Sequence, residues 1–270
     1  KAGIIKMGRP VVVSPQKEEA RLVVERVAQE RNAPITLLGQ DVFFAPWSRS
    51  LDGQTLLVWN RDEQPRVNAF LESGGGAEWQ PTRLQIPLLG YHQIENAATA
   101  YTTLMAVRAA GLPVSDDAIH QGFAGVVWPG RFEVLRRDPA VIIDSAHNRD
   151  SALKLRLALD DYLPGVPVIL VYGASEDKDV HGMFSELLPR VRRLVATQSI
   201  HPRAANADTL VEMAHQFGCP AQAVLPLEDA LRSALALAGD DSAVVVAGSL
   251  FVAAAARAAW KEIFPSQISS

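Results

Sequence analysis

The residues whose types could do chemistry come in short groups, several of them ending a run of β-branched residues. Asp144-Ser145-Ala146-His147-Asn148 is the fullest group. A carboxylate at the end of a strand can accept hydrogen bonds from ribose hydroxyls, and a histidine can contact phosphate oxygens or a phosphoryl group in transfer. A helix predicted to begin near Asn148 adds free N–H groups that favour an anion. The plain alternative is an N-cap beside a surface histidine. Trp128-Pro129-Gly130-Arg131-Phe132-Glu133 sets an arginine on a constrained turn, where its fork of donors could reach a phosphate. The alternative there is an exposed or ion-paired linker arginine. Asn96 stands at the predicted start of an alanine-rich helix, where its amide suits an adenine edge or caps the helix. Asp177-Lys178-Asp179 follows a strand ending at Gly173, placed for ligand contact or forming a solvated loop. Arg203 could hold a carboxylate bidentately, or be structural. Lys1 reads by itself as a solvated lysine.

The elements that must position these groups are clearest from Ala140 onward. Strands are predicted at 140–144, 166–173, 192–198, 221–225 and 242–248, with amphipathic segments between them. Continuous apolar strands separated by helices indicate a parallel sheet covered on both faces. Such sheets bind ligands at the carboxyl ends of their strands, which puts Asp144, Gly173 and Gly248 along one edge. Before that, 10–14 reads as a strand and 17–31 as a helix with apolar Leu22, Val23, Val24 and Val27. Residues 35–88 read as short strands of a small antiparallel sheet, turning at 51–54 and at the glycines Gly74, Gly75 and Gly76. No lysine or helical pattern follows that triplet, so a hairpin turn is expected there instead of a phosphate loop. Helices follow at 93–110 and 115–124, the second capped by Ser115 with Asp116 and Asp117 in its first turn. Trp128-Pro129-Gly130 marks a domain boundary. So small a first half leaves little to cover the apolar face of 17–31, and part of its partner surface is expected outside these residues.

The 270 residues carry a net charge of −4, with 48% hydrophobic and 21% charged side chains, and a pI near 5.9. That is ordinary for a globular protein and gives no basic footprint for nucleic acid. The single cysteine, Cys219, rules out an intrachain disulfide and a cysteine-based zinc site. No uninterrupted apolar stretch reaches the roughly 18 residues of a membrane span, and a cytoplasmic setting is expected. The first residue is Lys1, in what reads as a loop entering a strand, and a longer parent polypeptide is expected.

The ordered set KAGIIK, HQIENAATA, WPGRFE, DSAHN, GASEDKD, HPRA and AGSLF resembles the folylpolyglutamate synthase and dihydrofolate synthase family, over nearly the whole chain. That resemblance implies an α/β protein of two parts. Residues 1–127 would be the C-terminal part of a Mur-ligase-type central ATPase domain, and 128–270 a Rossmann-like C-terminal domain with a mainly parallel sheet, the active cleft lying between them. It implies a ligase of one-carbon metabolism that phosphorylates a folate or dihydropteroate carboxylate with ATP and Mg2+, after which the amine of L-glutamate displaces phosphate. Lys1 matches the family's carbamylated, magnesium-associated lysine and Asn96 its adenine-side asparagine. Arg131 matches the nucleotide-contacting arginine, and Asp144 and His147 the ribose- and phosphate-side residues, with Lys1 and His147 in the catalytic set. Asp177, Lys178, Asp179, Arg203 and Ser249 match positions around the cleft and are expected to bind substrate. Arg149 stands where the family commonly has proline, and VAAAARAA follows GSLF where it usually has a more polar helix start. The phosphate-binding pattern G-x-x-x-x-G-K-[ST] does not occur, so these residues alone are expected to be inactive and the ligase reading concerns the parent protein. A monomer is expected. A peptidoglycan Mur ligase, acting on a nucleotide-sugar substrate, is the alternative within enzymes, and a non-catalytic binding module the alternative outside them.

Overall fold

The computed structural model describes residues 1–76 and 78–265. They form two compact units: Lys1–Pro87 with Tyr91–Val126, and Leu88–Gly90 with the residues from Val127 on.

In the first unit, β1 (Val11–Val13) leads through α1 (Glu18–Glu30) to β2 (Ile35–Leu37), and the two strands pair in parallel. Glu18 and Glu19 lie in the first turn of α1, where negative charge opposes the positive helix end. Ala28, Val24 and Val27 of α1 pack with Ile5, Ala33 and Ile35. Leu22 and Val23, from the same helix, are 52% and 45% exposed, so nothing in the described residues covers that side.

β3 (Val42–Ser50) and β4 (Gly53–Asn60) form an antiparallel hairpin. Its corner needs glycine: Gly53 has φ 152°, and a Cβ there would lie 2.9 Å from the Ile86 carbonyl oxygen. Next comes α2 (Gln64–Glu72), which the sequence reading had placed within a run of strands. Asn60 and Glu63 make a reciprocal capping box just ahead of it, and Pro65 occupies its first turn. Its far end corrects a second expectation. The Gly75 N–H donates to the Phe70 carbonyl at 2.8 Å, so the glycine triplet closes a helix and is not a hairpin turn. β5 (Thr82–Ile86) returns antiparallel to β4. Against this three-stranded sheet pack α3 (Tyr91–Ala109) and α4 (Asp116–Ala124), joining Leu56, Val58, Leu84 and Ile86 to Ile94, Ala98 and Ile119 in one core. Ser115 caps α4 as expected, accepting the Ala118 N–H at 3.1 Å.

The second unit runs β6 (Glu133–Arg137), β7 (Ala140–Ile143), α5 (Arg149–Tyr162), β8 (Val168–Tyr172), α6 (Val180–Leu187), β9 (Val191–Ala196), α7 (Ala207–Gln216), β10 (Ala221–Ala223), α8 (Leu227–Ala238), β11 (Ala243–Ala247) and α9 (Leu250–Ile263). Its sheet has the order β10-β9-β8-β11-β7-β6, parallel except for the edge strand β6. The five strands read from sequence are all present, and β6 is the addition. Every residue of β7, β8 and β11 is buried, which is why they read as unbroken apolar runs. One face carries α8 and α9, whose Leu231, Ala234, Ala256 and Trp260 meet Val141, Ile169, Val171, Val244 and Val246. The alternate residues point the other way. There Tyr172 meets Phe184 of α6 with ring centroids 4.8 Å apart and donates its hydroxyl to Met183 Sδ at 3.3 Å.

Candidate active-site edge

The carboxyl end of the parallel sheet is where the candidate residues of the second unit gather. β7 gives way to Asp144, whose N–H still donates to the Val246 carbonyl at 2.9 Å. The Asp144 side chain is buried, and both its oxygens accept backbone hydrogen bonds: Oδ2 from the Phe132 N–H at 2.8 Å, Oδ1 from the Ala146 N–H at 2.7 Å. Burial pushes its carboxyl above the usual carboxylate range, while those two N–H groups and the charges of Arg131 and His147 pull the other way. Arg131 and His147 thus both act on the one buried carboxylate. The remaining lone pairs of Asp144 are what a ribose hydroxyl could use.

Arg131 sits on a turn fastened along its length. The Gly130 N–H donates to Glu133 Oε2 at 2.8 Å, and the Gly130 carbonyl accepts the Ser145 N–H at 2.8 Å. Phe132 is held at φ 45°, a conformation uncommon for a non-glycine residue. Arg131 is half-buried, and its side chain has no hydrogen bond or ion pair among the described residues.

His147 Nδ1 lies 2.9 Å from the Ser145 carbonyl oxygen. A carbonyl only accepts, so this nitrogen carries a proton and donates it there. Asn148 and Ser151 form the reciprocal cap of α5, Asn148 Oδ1 accepting the Ser151 N–H at 2.8 Å. The N-cap reading therefore holds for Asn148, and His147 precedes a helix N-terminus suited to anions.

Two further loops complete the edge. Gly173 and Gly248 pass so close that a Cβ on Gly248 would lie 2.6 Å from the Gly173 carbonyl oxygen. The Glu176 N–H donates to the Arg203 carbonyl at 2.9 Å, tying together the loops after β8 and β9. Asp179 Oδ1 accepts the Gly182 N–H at 2.8 Å and so caps α6. Asp177 pairs with Lys178 at 3.3 Å, and that contact holds its carboxyl below the usual range. The Arg203 N–H donates to His201 Nδ1 at 3.2 Å, and the His201 ring stacks on Phe251 with centroids 4.4 Å apart. Ser249 is buried, its Oγ accepting from the Phe251 and Val252 N–H groups at 3.0 and 3.4 Å as the cap of α9. Asp179 and Ser249 thus have structural engagements that the sequence reading did not foresee.

Lys1 and Asn96 lie in the first unit. Lys1 is exposed, and its carbonyl accepts the Ile4 N–H at 3.2 Å. Asn96 lies in the second turn of α3, exposed, donating Nδ2 to Gln93 Oε1 at 3.1 Å; it does not cap the helix. Among the described residues no group of three His, Cys, Asp or Glu side chains could hold a metal ion. These residues do not by themselves fit the magnesium site that the resemblance implies around Lys1. No helix among the described residues is long and apolar enough to cross a membrane. Glu133 and Arg257, joined through Glu133 Oε1 and Arg257 Nε at 2.8 Å, are the supporting residues that sequence reasoning passed over.

Residues 130–250 match the family model of the Mur ligase, glutamate ligase domain. A probable bifunctional folylpolyglutamate synthase/dihydropteroate synthase of Halobacterium salinarum is 40% identical over 192 residues, 70% of this chain and 22% of that protein. The Escherichia coli dihydrofolate synthase/folylpolyglutamate synthase is 32% identical over 212 residues, covering 78% and 43%. Among solved structures, a Mycobacterium tuberculosis folylpolyglutamate synthase complexed with ADP and AMPPCP superposes with TM-score 0.78 at 28% identity, over 95% of this chain and 57% of that one. Over the length that they share, the chain is similar to the folylpolyglutamate and dihydrofolate synthases. It spans 57% of that solved structure and less than half of each of the two curated relatives.

Proposed function

We propose that the chain belongs to an ATP-dependent ligase that joins L-glutamate to the carboxylate of a folate or dihydropteroate through an acyl phosphate. The observation that carries this reading is the buried carboxylate of Asp144, clamped by the N–H groups of Phe132 and Ala146 next to Arg131 and His147, at the carboxyl edge of a sheet that matches the glutamate ligase domain. Residues 1–127 are assigned to the C-terminal part of the ATPase domain and 128–270 to the glutamate ligase domain. Relatives solved with ADP, with AMPPNP and a manganese ion, and with DHPP support nucleotide, divalent metal and pterin substrate for the parent enzyme.

In the reaction the γ-phosphoryl group moves to a carboxylate oxygen and ADP leaves. The glutamate amine then attacks the acyl carbon, loses a proton, and expels phosphate. On this side of the chemistry, Arg131 supplies a fixed positive fork for phosphate oxygens and Asp144 accepts from the ribose. His147, with Nδ1 anchored on the Ser145 carbonyl, would donate from Nε2 to a phosphate oxygen. Asn96 would contact the adenine edge, and Lys1 would take part in holding magnesium together with ligands beyond these residues. Asp177, Lys178, Arg203 and Ser249 are assigned to the substrate side, Ser249 through the helix end that it caps.

The test is phosphate release from ATP by the protein at its natural length, with L-glutamate and either dihydropteroate or a reduced folate. Mass spectrometry should show a product longer by one glutamyl residue. Turnover only with a UDP-linked sugar peptide would assign a peptidoglycan Mur ligase instead. Absence of turnover with every substrate, together with absence of ADP binding, would leave a non-catalytic module.

A further inference from the structure

We propose that Glu133 and Arg257 are positioning residues that fix the turn carrying Arg131; the inference rests on the nucleotide-binding reading given above. The turn is unusual in its backbone. Gly130 has φ 71° and Phe132 φ 45°, so the residues on both sides of Arg131 occupy the left-handed region. A non-glycine residue held there persists when its surroundings over-determine it. Here three hydrogen bonds do so: Gly130 N–H to Glu133 Oε2, Ser145 N–H to the Gly130 carbonyl, and Phe132 N–H to Asp144 Oδ2. Two come from the strand end that holds the nucleotide residues. The third comes from Glu133, whose other oxygen is anchored by Arg257 of α9, 124 residues later in the chain.

Each oxygen of Glu133 therefore has one task, one grasping the turn and the other grasping a helix packed on the sheet. Arg131 itself has no such tether. An arginine aimed by its backbone alone depends on that backbone for its reach, and small displacements of a charged group at a reacting phosphate are costly. The competing explanation is an ordinary ion pair. Arg257 and Glu133 side chains are 36% and 20% exposed, and a pair so placed has by itself little effect on stability. The two readings separate on whether losing Arg257 acts through Arg131.

The experiment measures ADP affinity of the protein at its natural length by calorimetry for wild type, Arg257→Ala, Arg257→Lys, Arg131→Ala and the double variant Arg131→Ala/Arg257→Ala. Hydrogen exchange at the Gly130 and Phe132 amides is followed in each. If Arg257 positions Arg131, Arg257→Ala weakens ADP binding about 3- to 10-fold in the wild-type background and adds nothing once Arg131 is gone. Arg257→Lys then recovers part of the loss, and the Gly130 amide exchanges several-fold faster in Arg257→Ala. An equal loss in both backgrounds, or wild-type affinity in Arg257→Ala, overturns the proposal. Should wild type and Arg131→Ala prove alike in ADP affinity, the nucleotide role of Arg131 is what fails. The exchange data then decide separately: unchanged exchange at Gly130 overturns the support of the turn, and faster exchange upholds it.

Discussion

Replacing Asp144 by asparagine tests the account of the sheet edge most directly. The carboxylate accepts two backbone N–H groups, from Phe132 at 2.8 Å and Ala146 at 2.7 Å, one on each oxygen. Asparagine fits the space but has one acceptor oxygen, so in either orientation its NH2 faces one of those N–H groups. A hydrogen bond to a charged group contributes about 1.5–3 kcal/mol, and leaving a buried N–H unsatisfied costs about 1–3 kcal/mol. Against this, asparagine removes a buried charge whose raised pKa shows that burial outweighs its partners. The net expectation is a loss of about 1–3 kcal/mol, read at the affected end of the carboxylate as roughly 5- to 140-fold faster exchange of the Phe132 or Ala146 amide. A pH series sharpens the test. The folded pKa of Asp144 lies above its unfolded value, so the stability that comes from holding the buried carboxyl protonated is fully present below the ordinary carboxylate range. It is lost as pH rises through the raised pKa. The advantage of wild type over Asp144→Asn should therefore be larger in acid than at neutral pH. Unchanged exchange at both amides, with equal urea midpoints, would refute the clamp.

Three other outcomes follow from the geometry. Gly248→Ala places a Cβ 2.6 Å from the Gly173 carbonyl oxygen and 2.8 Å from the Tyr172 ring, at φ 112°, and should cost about 3 kcal/mol or more in urea unfolding. Ser249→Ala uncaps α9 and should lose about 1–2 kcal/mol, whereas Ser249→Thr keeps an acceptor and most of the stability; equal stability of all three proteins would contradict the capping role. Cys219 is buried and its thiol is pushed up by that burial, so a disulfide reagent should react slowly with the native chain and titrate one thiol in urea. Rapid native labelling would show that this part of the unit opens.

The sequence was most legible where burial is complete. β7, β8 and β11 have no polar face to vary, so their apolar runs marked them to within two residues at either end. β6 escaped because EVLRR is half-exposed and pairs only on one side, giving neither an apolar run nor clean alternation. α2 escaped although its signals were present: Asn60 and Glu63 in capping-box spacing, Pro65 in the first turn, and glycines just past the end. Glycines flanked by segments that read as strands look like a strand turn, which hides their role past a helix end. At the candidate site, residue types and order pointed to Arg131, Asp144 and His147, and the structure brings these three into electrostatic reach. What the sequence does not display is the support around them. Neither the clamp from Asp144 to Phe132 nor the pairing of Glu133 with Arg257, far apart in the chain, has a local pattern to read.

The strand order has a consequence for how the second unit is made. β7 and β8 are neighbours in sequence but not in space, because β11 lies between them and pairs with both. Before residues 243–247 emerge from the ribosome, the nascent chain can assemble only two separate ribbons, β6–β7 and β8–β9–β10. Each then presents an open parallel edge, on β7 and on β8, where a strand of another chain could pair. β11, the last of the described strands of this sheet, joins the ribbons and closes both edges at once. Completion of this sheet therefore waits for β11, and a nascent chain stalled short of β11 is the species that most needs a chaperone.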